Sequence, residues 1–194
     1  MGERLRIPYE APQGRRVNAI GAYFSHGPQA GQFRFATYAA VPESRSKKAR
    51  KSLEERAAGH GLTLEEVGPI DGERLIQFLW QIAGRLTVYA EEWQRERPLV
   101  IWLDNYSVHK SQRVREEIAA LSRAGITLHY LPSYSPELSK IEPIWHAVKH
   151  HEMKERSHTE LVALKRATEE ALRKKAADLL VAHQETAKLL RQAA

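Results

Sequence analysis

Residues 99–109 read LVIWLDNYSVH, and this stretch decides the fold. Five apolar residues follow Pro98 and end at Asp104. A run this short, with Val100, Ile101 and Trp102 at its centre, is a strand and not a helix. It lacks the alternation of a half-exposed strand, which predicts burial on both faces, as at the centre of a parallel sheet. Asp104 then stands at the C-terminal end of the strand, where open α/β sheets collect their ligands. A carboxylate there can reach a metal ion while the sheet holds its backbone.

Downstream, Ser111 or a neighbour starts a helix to about Arg123, and Gly125 breaks it. A second strand follows at 126–131 (ITLHYL), then a turn at 132–139 (PSYSPELS) and a helix from about Ile141 to Lys154. From Ser157 to the end the chain holds neither Gly nor Pro, which predicts one long helix or two abutting ones. Upstream, residues 17–24 (VNAIGAYF) and 32–41 (QFRFATYAAV) flank a turn with Gly27, Pro28 and Gly31, the pattern of a hairpin. Residues 1–16 read as a loop and 43–58 as a charged helix stopped by Gly59 and Gly61. Thr63–Val67 is a short strand or a loop. Asp71 caps a helix to about Arg95 whose apolar stripe is Leu75, Phe78, Leu79, Ile82 and Leu86.

This order is mixed α/β. It predicts one sheet with an antiparallel edge and parallel central strands, flanked by helices, with a helical C-terminal tail. The domain division is a core at 1–156 and a helical extension at 157–194.

The 194 residues suffice for a real core. With 30 basic and 24 acidic side chains the net charge is +6, which favours an anionic partner such as nucleic acid. There is no cysteine, hence no disulfide and no thiolate-bound metal. No apolar run is long enough to span a membrane, and MGERLRIPYE lacks the apolar stretch of a signal peptide, so a cytoplasmic protein is expected.

Glu142, at the start of the last core helix, is the natural second carboxylate. A strand-end Asp and a helical Glu can converge on one Mg²⁺ or Mn²⁺, which take hard oxygen ligands. Two such ions about 4 Å apart would activate a water or 3′-hydroxyl and stabilise the leaving oxygen of a phosphodiester. The bland alternatives are a turn residue for Asp104 and a dipole-favoured residue for Glu142.

The words around both acids, at 99–109 and at 126–149 (ITLHYLPSYSPELSKIEPIWHAVK), closely resemble the DDE domain of the IS630/Tc1/mariner transposase superfamily. Asp104, Asn105 and His109 match its hydrophobic strand ending in Asp-Asn with a following His. Leu131, Pro132, Tyr134, Ser135, Pro136, Glu137, Leu138, Ile141, Glu142, Trp145 and Lys149 match its later block. The resemblance spans roughly residues 15–153. It implies an RNase H-like fold, metal-dependent cleavage of transposon ends and strand transfer into target DNA. On it, Asp104 is the second acid of a triad and Glu142 the third.

Two departures matter. Ser139-Lys140 replaces the Asn-Pro usual before Ile-Glu, which puts a cation near the site. The first acid, which the family carries on a strand before the one matching VNAIGAYF, has no counterpart on an apolar strand here. Glu3 and Glu10 fall in the loop and Asp71 is a cap. The N-terminal DNA-binding domain of such transposases is also expected to lie outside the chain. The expected DNA contacts are Asn105, His109, Lys140, Lys149, His150 and Lys154. The expected partners are DNA, an upstream transposase half and a second copy in a homodimer served by the helical tail. The isolated chain is expected to be inactive, because two carboxylates make a weaker site than three. The alternative is a decayed or repurposed RNase H-like domain that binds DNA or its own kind without cleaving.

Three other features have competing readings. His109 contacts DNA or the site's solvent, or makes a local hydrogen bond. His146 and His150, at i, i+4, suit zinc but lack a third ligand, which favours an exposed pair. The basic run Arg45–Lys51 contacts phosphate or is a solvated helix face. Trp145 reads as core, and Tyr134 and Ser135 as turn residues at the rim of the site.

Overall fold

The computed structural model describes residues 15–43, 51–85, 93–153 and 158–192. The alternation read in the first apolar segments produces a hairpin. Strands β1 (Arg16–Tyr23) and β2 (Phe33–Ala40) pair antiparallel, with Ile20 opposite Ala36 and Tyr23 opposite Phe33. Its two faces are both apolar. Ile20, Ala22, Ala36 and Tyr38 join one cluster, and Ala19, Tyr23, Phe33 and Phe35 join another. The period-2 spacing of side chains makes this division.

Helix α1 (Leu53–Ala58) is capped by Ser52 and Glu55, which exchange hydrogen bonds in a capping box. The segment read as a strand or loop is a single 3-10 turn, Leu64–Glu66, after which Val67 bridges Ala39. Helix α2 (Gly72–Ala83) starts where Asp71 accepts a hydrogen bond from Arg74 N at 2.9 Å and ends at Gly84, whose φ of 98° is left-handed. Its stripe Leu75, Phe78, Leu79 and Ile82 is buried, at roughly 1.5–3 kcal/mol per side chain. The helix was expected to run to about Arg95; the left-handed Gly84 ends it at Ala83 instead, and Leu86 of the expected stripe lies outside the described residues.

Strand β3 (Leu99–Leu103) pairs in parallel with β4 (Ile126–Tyr130), joined by helix α3 (Gln112–Arg123). Leu99, Ile101, Ile126 and Leu128 pack onto the cluster held by α2 and α3. The opposite face was expected to be buried and is not: Val100 is 52 % and Trp102 61 % exposed. Trp102 stacks on His129 with ring centres 4.9 Å apart.

The expected single sheet is likewise corrected. The four strands form two separate pairs, β1–β2 and β3–β4. Among the described residues no strand joins β1 to β3, and a cavity separates them.

The helix expected over 141–154 is shorter. Helix α4 (Glu142–Ala147) passes into a wide π turn at Val148–Glu152, which Met153 N closes on Val148 O. The tail is one continuous helix, α5 (Leu161–Gln192). Its first half packs on the hairpin through Leu161, Ala171 and Leu172. Lys165 is buried there, 3.1 Å from Glu66 and 2.5 Å from Glu169, which also accepts from Thr37 at 2.7 Å. Val181, Leu189 and Leu190 in its second half are exposed. No helix among the described residues is long and apolar enough to cross a membrane.

Candidate active site

Asp104 sits one residue past the end of β3, with its side chain 60 % exposed. Its Oδ1 accepts from Tyr106 N at 2.9 Å, which closes a tight turn at the strand end. The same oxygen lies 2.7 Å from His109 Nδ1, and that nitrogen is 3.1 Å from Asp104 O. His109 reaches back because Ser107–Lys110 forms a 3-10 turn directly after the strand. Both of its close partners are acceptors, so Nδ1 carries a proton and Nε2 faces away. Asp104 Oδ2 has no partner among the described residues and points outward from this clasp.

The neighbouring chain is braced. Asn105 Nδ2 donates to Leu131 O at 2.7 Å, Leu131 N donates to Leu103 O at 2.8 Å, and Tyr130 OH donates to His109 O at 2.8 Å. These bonds tie the ends of β3 and β4 together beside Asp104. The amide of Asn105, expected at DNA, is engaged in this brace.

Glu142 is the first residue of α4, exposed, with its N–H donating to Ser139 O at 3.1 Å. Between β4 and α4 the loop makes a 3-10 turn at Pro136–Leu138. Tyr134 there holds a left-handed φ of 59° and is fully exposed, a conformation that costs of order 1–3 kcal/mol in a residue with a side chain. Asp104 and Glu142 line different cavities, and Ser139 and Lys140 line both. Ser139 and Lys140 thus border both cavities.

Lys140 is exposed on this loop, and Lys149 and His150 are exposed on the π turn that follows α4. His146 lies near His150 and His151, with ring centres 4.5 and 5.9 Å apart. Trp145 turns inward, edge-on to Phe33 at 5.5 Å. Lys154, Glu3, Glu10 and most of the Arg45–Lys51 run lie outside the described residues.

The donor chemistry here fits Mg²⁺ or Mn²⁺, since Asp104 and Glu142 offer exposed hard oxygens. No group of three or more His, Cys, Asp or Glu able to hold an ion occurs among the described residues. Sequence reading left a local hydrogen bond open for His109 but did not name Asp104 as its partner. Its signal is a His five residues after a strand-end Asp with a tight turn between, too local a geometry for spacing alone to fix.

A family model described as DDE superfamily endonuclease matches residues 56–165, more than half of the chain, and both acids fall inside the match. A search of the curated proteins finds no match.

Proposed function

The chain belongs to the DDE superfamily of endonucleases, and on that premise we propose that it is the core of a transposase of the IS630/Tc1/mariner type. The reading includes an RNase H-like arrangement and cleavage and strand transfer of DNA with Mg²⁺ or Mn²⁺. The observation that carries it is Asp104 at the exposed tip of β3, with one oxygen clasped by His109 and the other open. When bound, the cation supplies the charge that activates a water or 3′-hydroxyl and stabilises the leaving oxygen.

The chain's own residues do the rest. Asp104 presents Oδ2, His109 fixes the orientation of the carboxylate, and Glu142 offers a second carboxylate from the start of α4. Lys140, Lys149, His150 and Lys154 follow the phosphate backbone, with Asn105 and His109 beside them at the strand ends. The division into a core at 1–156 and a helical extension, the homodimer and the upstream half belong to the same reading. The exposed Val181, Leu189 and Leu190 of α5 support the homodimer.

The test is Mn²⁺-dependent nicking of supercoiled DNA by the chain supplied with the upstream half. Loss of nicking in Asp104→Asn and in Glu142→Gln supports the reading. Absence of nicking by the unaltered pair sinks it. A second reading, a domain that binds DNA or its own kind without cutting, is favoured by the separate cavities lined by Asp104 and Glu142.

A further inference from the structure

The outer face of β3 and β4 carries an aromatic stack beside the acid at the strand end. Side chains alternate along β3, so Leu99 and Ile101 enter the core while Val100 and Trp102 face the other way. The parallel register sets His129 beside Trp102, and the two rings stack with centres 4.9 Å apart and planes 26° from parallel. His129 supports the indole, yet Trp102 is still 61 % exposed. Tryptophan is on average a well-buried residue. Here its ring is held in place and left open to solvent.

The stack lies next to the chemistry. Trp102 precedes Asp104 by two residues, about 7 Å of extended chain. Both line one cavity, together with Tyr106 and Lys140.

The composition of the face selects its occupant. Val100 and Trp102 are the large exposed apolar side chains of β3 and β4, and their neighbours on β4 are the exposed Thr127 and His129. Two such side chains fall far short of the roughly 800 Å² that each partner gives to a stable protein complex. A paired base in duplex DNA offers its edges, because its faces are covered by the bases above and below. An unpaired base offers a flat π face, and an indole backed by an imidazole is a matching surface. Lys140, on the same cavity, supplies a cation for the phosphate of that nucleotide.

We propose that Trp102, backed by His129, stacks one unpaired base of the DNA strand that passes Asp104, which makes Trp102 a substrate-binding residue. The proposal rests on the reading of the chain as a DNA-cleaving core, and adds that the strand is unpaired where it meets the acid.

Tryptophan fluorescence of the 194-residue chain tests it. Trp102 is the exposed one of the four tryptophans, since Trp80 and Trp93 pack edge-on to each other and Trp145 packs edge-on to Phe33. Single-stranded oligothymidylate, added without metal, is expected to quench the emission, and a duplex of the same length to quench far less at matched occupancy. In Trp102→Phe the quenching disappears while most of the affinity remains. In Trp102→Leu the affinity, read by anisotropy of a labelled oligothymidylate, falls about tenfold. Its salt slope stays unchanged, because stacking releases no counterion. No quenching of the unaltered chain, quenching that persists in Trp102→Phe, equal quenching by duplex, or unchanged affinity in Trp102→Leu overturns the proposal. No cleavage is read in these titrations. A chain that stacks the oligonucleotide but never nicks contradicts the nuclease reading alone, and one that nicks but shows no quenching contradicts this proposal alone.

Discussion

His109 Nδ1 lies 2.7 Å from Asp104 Oδ1, and the His109 side chain is only 18 % exposed while that of Asp104 is 60 % exposed. The imidazole thus backs the carboxylate from the protein side and leaves its other oxygen to the solvent. Partners of this kind orient a metal ligand, and their removal typically weakens metal binding or activity 10–100-fold. His109→Ala is expected to lower Mn²⁺-dependent nicking by about that factor with little change in unfolding temperature, and His109→Gln to recover part of it. Unchanged nicking in both variants would reduce the contact to a local turn bond.

The exposed cations beside Glu142 carry a prediction about salt. Removing one cation from the phosphate backbone lowers the slope of log affinity against log salt by about one. The double variant Lys140→Ala, Lys149→Ala is therefore expected to bind duplex DNA more weakly and with a slope shallower by about two. Filter binding between 50 and 200 mM salt measures it. An unchanged slope would place the DNA elsewhere.

Acid should loosen α5. Burial pushes Glu169 up, but hydrogen bonds from Lys165 and Thr37 outweigh it and hold the carboxyl below its ordinary value of 4.5. Burial likewise pulls Lys165 down, and its bonds to Glu169 and Glu66 outweigh that and raise it above 10.5. A carboxyl depressed in the folded state stabilises fully above 4.5, and the contribution is lost as pH falls through its folded value. The raised Lys165 stabilises at neutral pH and loses its contribution only as pH climbs past its folded value. Glu169→Gln is expected to cost roughly 2 kcal/mol at neutral pH and to flatten the loss of stability on acidification below 4.5. Urea unfolding across pH 3–7 reads both.

The parts of the fold legible in the sequence are those set by local pattern. The hairpin follows from the apolar segments 17–24 and 32–41 with Gly27, Pro28 and Gly31 between them, the start of α2 from Asp71, and α5 from a tail without Gly or Pro. What escaped depends on distant neighbours. Val100 and Trp102 have the composition of a buried strand, yet their burial needs a layer that lies outside their own segment. Lys165 sits on the tail's buried stripe because Glu66, 99 residues away, meets it there. The π turn after Ala147 has no sequence signature of its own. The positions of Asp104 just past a strand and of Glu142 at a helix start were readable from the sequence. That His109 closes on Asp104 was not, since it depends on how a short turn is folded.

The central claim is that Asp104 and Glu142 hold one ion between them. A double-mutant cycle on Mn²⁺ affinity, followed by electron paramagnetic resonance with the upstream half present, tests it most directly. If both carboxylates ligate the same ion, Asp104→Asn and Glu142→Gln each abolish most of the binding, and the double variant loses little more than either. Two independent losses that add, or binding that survives Asp104→Asn unchanged, would contradict the account.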